Sequence, residues 1–185
     1  MPETLAHANI YTEEDYYSLP ENVRAELIGG QFYYMAAPSR AHQEILNFIN
    51  TEINIYLRSK NSPCKVYPAP FAVKLFSEDD RNVVEPDISV ICDPSKLTDR
   101  GCTGAPDWIV EIISPSTSSH DYIRKLNLYA KAGVKEYWII DPRTEKVFVY
   151  HLDQADVNAD SYTFQDKIKV NIYDDLWIGF AELEP

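Results

Sequence analysis

The chain has 185 residues, 45% of them hydrophobic and 25% charged, the composition of one ordinary globular domain spanning 1–185. Seventeen Lys and Arg against 29 Asp and Glu give a net charge of −12, which excludes a broad, sequence-blind DNA-coating surface and leaves room for a local basic cleft. Cys64, Cys92 and Cys102 form no C-x-x-C pair and carry neither a disulfide framework nor a zinc ribbon; with no basic leader and no run of about 18 apolar residues, the chain reads as cytoplasmic, reduced and off the membrane.

Thr12 ahead of EEDYYSLPE predicts a short N-capped helix with acids in its first turn, ended by Pro20. RAELIGGQFYYMAA sets two apolar, aromatic runs either side of Gly29-Gly30, which predicts a β-hairpin. Ser39 caps a long helix to about Asn61, with Ile45, Leu46, Ile49, Ile53, Tyr56 and Leu57 at helical spacing and His42 on the same face. Three strand-like runs follow, KVYPAPFAVKLF, NVVEPDISVIC and DWIVEIIS. A helix from about Asp121 to Ala132, stopped by Gly133, carries Tyr122, Leu126, Tyr129 and Ala130 on one stripe and packs on a sheet. EYWIIDP, KVFVYHLD, SYTFQ and KIKVNIYDDLWIGF supply further β-structure, so the order describes an α/β (α+β) fold, a mixed sheet flanked by helices.

Strand alternation in DWIVEIIS puts Asp107, Ile109, Glu111 and Ile113 on one face and Trp108, Val110, Ile112 and Ser114 on the other. Glu111 is then a carboxylate inside an apolar strand, and it needs a metal or a Lys or Arg partner. Asp87, behind Pro86 in VVEPDISVI, is a second acid among β-branched residues, and the proline marks a bulge or a sheet edge. If the two strands are neighbours, the acids converge at one end of the sheet, and two hard oxygen ligands suit Mg²⁺ or Mn²⁺. No zinc-protease, Walker, nucleophile-elbow or dinucleotide motif occurs, and the segment around Asn158 lacks the glycine and glutamate of a calcium loop.

Pro86-Asp87 and Val110-Glu111 resemble the acidic motifs of the PD-(D/E)XK, restriction endonuclease-like, nuclease superfamily. RAELIGGQ, SRAHQE, VVEPDISVI, PDWIVEIISPSTSSHD, RKLNLYAKAGVKEYWIIDP and KVFVYHL together, from about Tyr11 to Leu152, resemble the Uma-type restriction endonuclease family. The resemblance implies an α-β-β-β-α-β core, here with an N-terminal helix and hairpin and extra C-terminal strands. It further implies a divalent-metal-dependent endonuclease that hydrolyses DNA phosphodiester bonds, with Mg²⁺ or Mn²⁺ on Asp87, Glu111 and a carboxylate from the first half of the fold. Glu26 matches for that third ligand, with Glu44 as its rival. His42 also matches a family block and joins the catalytic candidates; its alternative is a hydrogen-bonded helix-end histidine. Asp121, which fits as well, is alternatively the cap of its helix.

The superfamily's lysine, two residues after Glu111, is replaced by Ile113, and the family pattern instead places a lysine on the next helix, at Lys125. The helical period sets Lys125 beside the buried stripe and turns Arg124 to water. Lys125 is then the cation beside the scissile phosphate, the ion-pair partner of Glu111 or a snorkelling surface lysine. A homodimer is expected, because restriction-like enzymes cut two strands related by a two-fold axis and YWII, VFVY and LWIGF carry surplus apolar surface. The competing reading is a catalytically silent module, dimeric or DNA-contacting, whose acids form an ion-pair network.

Overall fold

Side-chain periodicity sets most element boundaries in the computed structural model, which describes residues 10–114, 119–153, 158–181 and 183. Helix α1 (Glu13–Tyr17) leads into the hairpin β1 (Ala25–Ile28) and β2 (Gln31–Tyr34), then the long helix α2 (Arg40–Ser59). Strands β3 (Lys65–Pro68), β4 (Val73–Phe76), β5 (Asp79–Val84) and β6 (Ile88–Ile91) precede the short pair β7 (Leu97–Thr98) and β8 (Gly101–Thr103). Strand β9 (Trp108–Ile112), helix α3 (Ser119–Ala132) and strands β10 (Glu136–Asp141), β11 (Lys146–His151), β12 (Asn158–Thr163), β13 (Lys167–Lys169) and β14 (Trp177–Gly179) complete the order. Gly29 and Gly30 turn the hairpin at φ +59° and +76°, a conformation that side chains with a Cβ resist. The Ser39 hydroxyl accepts the His42 N–H at 3.2 Å and so caps α2.

The single mixed sheet expected from the sequence is in fact two six-stranded sheets, β2-β1-β5-β4-β8-β7 and β12-β11-β10-β9-β6-β3, beside a β13-β14 pair. Two of the strand-like runs break at prolines that cannot donate to a ladder, near Pro70 and at Pro86. Each run then contributes one strand to each sheet: β3 and β6 to one, β4 and β5 to the other. The PD motif therefore stands where the chain crosses between sheets.

Strand β9 lies between antiparallel β6 and parallel β10, with α3 in the β9–β10 crossover. Its alternation separates two cores. Trp108, Val110 and Ile112 pack with Ile49 and Ile53 of α2 and with Ile178 and Phe180, while Ile109 packs with Tyr129 of α3 and with Val73 and Leu75 of β4. The C-terminal apolar strands are mostly consumed in these cores, with Trp138, Val147, Val149 and Ile178 fully buried and Trp177 exposed. Most of the apolar surface that motivated a homodimer is thus interior packing, with Trp177 left open.

The cysteine expectation needs correction: Cys64 and Cys92 are disulfide-bonded, and Cys102 is free and buried. The antiparallel register that sets Lys65 against Ile91 sets these two against each other one residue further out. Strand register decides this pairing, and a spacing of 28 residues conceals it. Cysteine usage then gives no argument for a reducing compartment. Among the described residues no helix is long and apolar enough to cross a membrane.

Candidate active site

The β6–β9 register that pairs Ile88 with Val110, carried one residue further, brings Asp87 opposite Glu111. Here the two sheets, the first turn of α2 and the middle of α3 enclose a cleft of about 430 Å³. Asp87 is gripped at both oxygens: the backbone N–H of Ile112 donates to Oδ2 at 2.7 Å, and His42 Nε2 lies 3.1 Å from Oδ1. His42 is 6% exposed, and its buried Nδ1 has no hydrogen-bond partner.

Lys125 reaches inward from α3 and bridges two acids. Its Nζ donates to Glu111 Oε1 at 2.8 Å and lies 2.8 Å from Glu26 Oε2. The Tyr129 hydroxyl, one turn further along α3, donates to the same Glu111 oxygen at 2.7 Å. Glu26 comes from β1 and also accepts the Glu85 N–H at 3.0 Å, which ties the hairpin to the strand crossover. Glu85 in turn accepts from Arg24 at 2.9 Å and from the Tyr16 hydroxyl at 2.6 Å.

Glu26 and Glu111 are only 4% and 7% exposed. Burial pushes the Glu111 carboxyl up to about 7; Lys125 opposes that shift, and the neighbouring Asp87 and Glu26 charges add to it. Burial works against the Lys125 charge, but Glu111 and Glu26 outweigh it and hold the ammonium above the usual lysine range. The Tyr129 hydroxyl is raised as well, by burial first and then by Glu111. A buried acid that resists ionisation beside two others marks a place short of positive charge.

The structure thus brings together Asp87, Glu111, Lys125, Glu26 and His42. Glu44 is not among them; it pairs with Arg40 on the exposed face of α2. Arg124 is exposed, as its helical position required, yet it lines the cleft and lays its guanidinium over the Tyr33 ring, 4.6 Å from the centroid. The Asp121 side chain lies outside the described residues. Sequence reasoning missed Tyr129, taken only as a packing residue, and Glu85, two residues before Asp87 in the same block. It also missed the β2 aromatics at the mouth, whose position depends on how the hairpin docks.

The donor set fits a hard divalent cation in chemistry, since the carboxyl oxygens of Glu26, Glu111 and Asp87 gather at one place with a single lysine between two of them. As arranged, Lys125 stands between two of the acids, and among the described residues no three His, Cys, Asp or Glu side chains form a ready ligand group.

A family model described as "Putative restriction endonuclease" (Uma2) matches residues 13–181 of the chain. The uncharacterized protein slr1290 of Synechocystis is 26% identical over 161 residues, covering 85% of this chain and 83% of its own. A solved structure from Anabaena variabilis, described as a "putative nuclease belonging to DUF820", superposes with a TM-score of 0.75 at 22% identity, covering 91% of this chain and 94% of that one. At that identity the structural likeness establishes a shared fold.

Proposed function

This chain belongs to the Uma2 family, and we propose that it is a divalent-metal-dependent endonuclease that hydrolyses DNA phosphodiester bonds. The observation that carries the reading is the gathering of carboxyls in the cleft. Glu26 and Glu111 share the Lys125 ammonium at a nearly closed floor, and Asp87, held by His42 and the Ile112 N–H, adds a third carboxyl beside Glu111. Structural ion pairs gain nothing from a third carboxyl, whereas a divalent cation takes it as a ligand.

Glu26, Asp87 and Glu111 would hold Mg²⁺ or Mn²⁺. When bound, the ion supplies Lewis-acid polarisation of a phosphate oxygen and acidification of a water. The protein's own groups do the rest. The Ile112 N–H and His42 fix the rotamer of Asp87, and Tyr129 fixes Glu111. Lys125 carries a positive charge within reach of both glutamates, suited to stabilising negative charge that develops on a phosphate or on the attacking oxygen. Arg124, on the wall of the same cleft, puts a guanidinium near the site in a chain that is acidic elsewhere, while Arg24 is paired with Glu85.

The silent-module reading has an observation of its own: Lys125 satisfies Glu26 and Glu111 without any metal. Cleavage of plasmid and linear DNA with Mg²⁺ or Mn²⁺, by wild type, Asp87→Ala and Glu111→Ala freed of contaminating nuclease, decides between the two. The endonuclease reading expects metal-dependent nicking that either substitution abolishes while the fold persists. Undiminished cleavage by Glu111→Ala, or none by wild type, overturns it.

A further inference from the structure

Resting on the endonuclease reading, we propose that Arg124, held across the cleft by the Tyr33 ring, is a substrate-binding residue that takes a phosphate flanking the scissile one. Register is the first ground. Tyr33 of β2 is paired with Glu26 of β1, and residues directly opposite each other on antiparallel strands project from the same face of the sheet. Tyr33 therefore stands next to an acid that Lys125 bridges, and both line the cleft. Arg124 immediately precedes Lys125 on α3, and its guanidinium lies over the Tyr33 ring, 4.6 Å from the centroid. Lys125 reaches the floor, where it meets Glu26 and Glu111, whereas Arg124 is exposed. Two successive cations of one helix thus stand at two depths of the same cleft. A phosphate drawn to the acids at the floor has its neighbour at the depth of Arg124.

The kind of contact is the second ground. Arg24 and Lys125, the other Lys and Arg side chains of the lining, are engaged by Glu85 and by Glu26 and Glu111. An aromatic face acts differently, since it attracts the guanidinium through the ring quadrupole and brings no full negative charge. Tyr33 therefore orders the Arg124 side chain without neutralising it. A guanidinium ordered in this way is a planar fork that matches two phosphate oxygens at once.

Surroundings are the third ground, and a second arginine in the same kind of contact supplies the comparison. Arg100 lies over the Tyr17 ring at 4.8 Å, but Glu13 and Glu14 line the same hollow and repel an added anion. Arg124 lies instead on the wall of the cleft that holds the candidate ligands Glu26, Asp87 and Glu111. The ring contact is thus common to both arginines, and the place in the cleft belongs to Arg124.

The test is the binding of a fluorescently labelled DNA duplex, followed by anisotropy across a salt series in EDTA so that cleavage does not enter. Arg124→Ala should weaken binding by roughly ten- to a hundredfold, the scale of a hydrogen bond to a charged group. It should also reduce the steepness of log affinity against log salt by about 0.9, the loss of one phosphate contact. The melting temperature should not change, because the side chain is exposed. Arg124→Lys should recover the salt dependence and only part of the affinity. Tyr33→Leu should weaken binding about two- to fivefold, and Tyr33→Phe, which keeps the ring, should restore it. Arg100→Ala is the control and should match wild type in affinity and in salt dependence. No binding by wild type, an affinity that Arg124→Ala leaves unmoved, or a loss of affinity with the salt dependence intact overturns the assignment. So does an equal loss from Arg100→Ala, which would make the effect one of net charge. The two readings fail separately: Arg124-dependent binding without any Mn²⁺-dependent cleavage removes the endonuclease and keeps the phosphate contact, while Mn²⁺-dependent cleavage whose KM is indifferent to Arg124→Ala does the reverse.

Discussion

Lys125→Ala deletes the one ammonium that touches both Glu26 and Glu111, each at 2.8 Å. Removing one partner of a buried pair costs about 3–5 kcal/mol, and for a domain of this size each kcal/mol moves the melting temperature by about 2–4 °C. Together these give a fall of roughly 6–20 °C in EDTA at pH 8. The fall should be smaller at pH 6, because Glu111, already pushed up to about 7, loses the partner that favours its ionised form and takes up a proton instead. Thermal scans of wild type, Lys125→Ala and Lys125→Ala/Glu111→Gln at both pH values read this directly, and the double variant should recover most of the loss. Mn²⁺ should then raise the melting temperature of Lys125→Ala at least as much as that of wild type, since a cation beside the ligands has gone and Coulomb repulsion falls. The cleavage rate should drop by about two to three orders of magnitude. A melting temperature within about 1 °C of wild type at both pH values would refute the energetic argument. An unchanged cleavage rate would refute the catalytic role.

Three further outcomes are expected. Between the ordinary glutamate range and about 7, the native state holds a proton on Glu111 that the unfolded chain has released; stability in EDTA should therefore fall as pH rises through that window. Stabilisation by Mn²⁺ should grow across the same window as the proton ceases to compete, and melting curves at pH 5.5, 7 and 8.5 that run parallel with and without Mn²⁺ would count against this. His42→Ala removes the 3.1 Å contact to Asp87 but leaves the Ile112 N–H in place. Calorimetric titration should then show Mn²⁺ affinity reduced about ten- to a hundredfold, and an unaltered affinity returns His42 to a helix-end structural role. Cys92→Ser opens a loop with a sequence separation of 28 and should cost about 3–4 kcal/mol by loop closure; a melting temperature equal to that of wild type under non-reducing conditions would contradict the bond.

Much of the fold was legible because local signals and tertiary packing agree. The Gly29-Gly30 hairpin, the Ser39 cap, the apolar face of α2 and the two-sided alternation of β9 all appear where the side-chain pattern puts them. The division into two sheets was not, although its cause is written at Pro70 and Pro86. A proline breaks a ladder, but sequence alone does not say that the chain on either side joins different sheets. The Cys64–Cys92 bond was hidden for a related reason, since it follows from a register between strands separated by β4 and β5.

The site was legible in its members and less so in its connections. Asp87 and Glu111 stand out as acids within apolar strands, and Lys125 as a cation beside a buried stripe. Glu26 reaches the site because β5 pairs with β1 and the strand crossover brings the Glu85 N–H to it, neither of which the hairpin pattern reports. The Lys125 bridge joins residues on β1, β9 and α3, and no periodicity within one element reports a contact made between three.

Binding of Mn²⁺ followed by thermal shift and by titration, on wild type and Asp87→Ala at pH 8, tests the central claim most directly. The account predicts that Mn²⁺ stabilises wild type in a saturable, concentration-dependent manner, as mass action on a folded-state site requires, and that Asp87→Ala folds in EDTA but loses this stabilisation. Identical behaviour of the two proteins, or a wild-type melting temperature that millimolar Mn²⁺ leaves unmoved, would contradict it and leave the acids as an ion-pair network around Lys125.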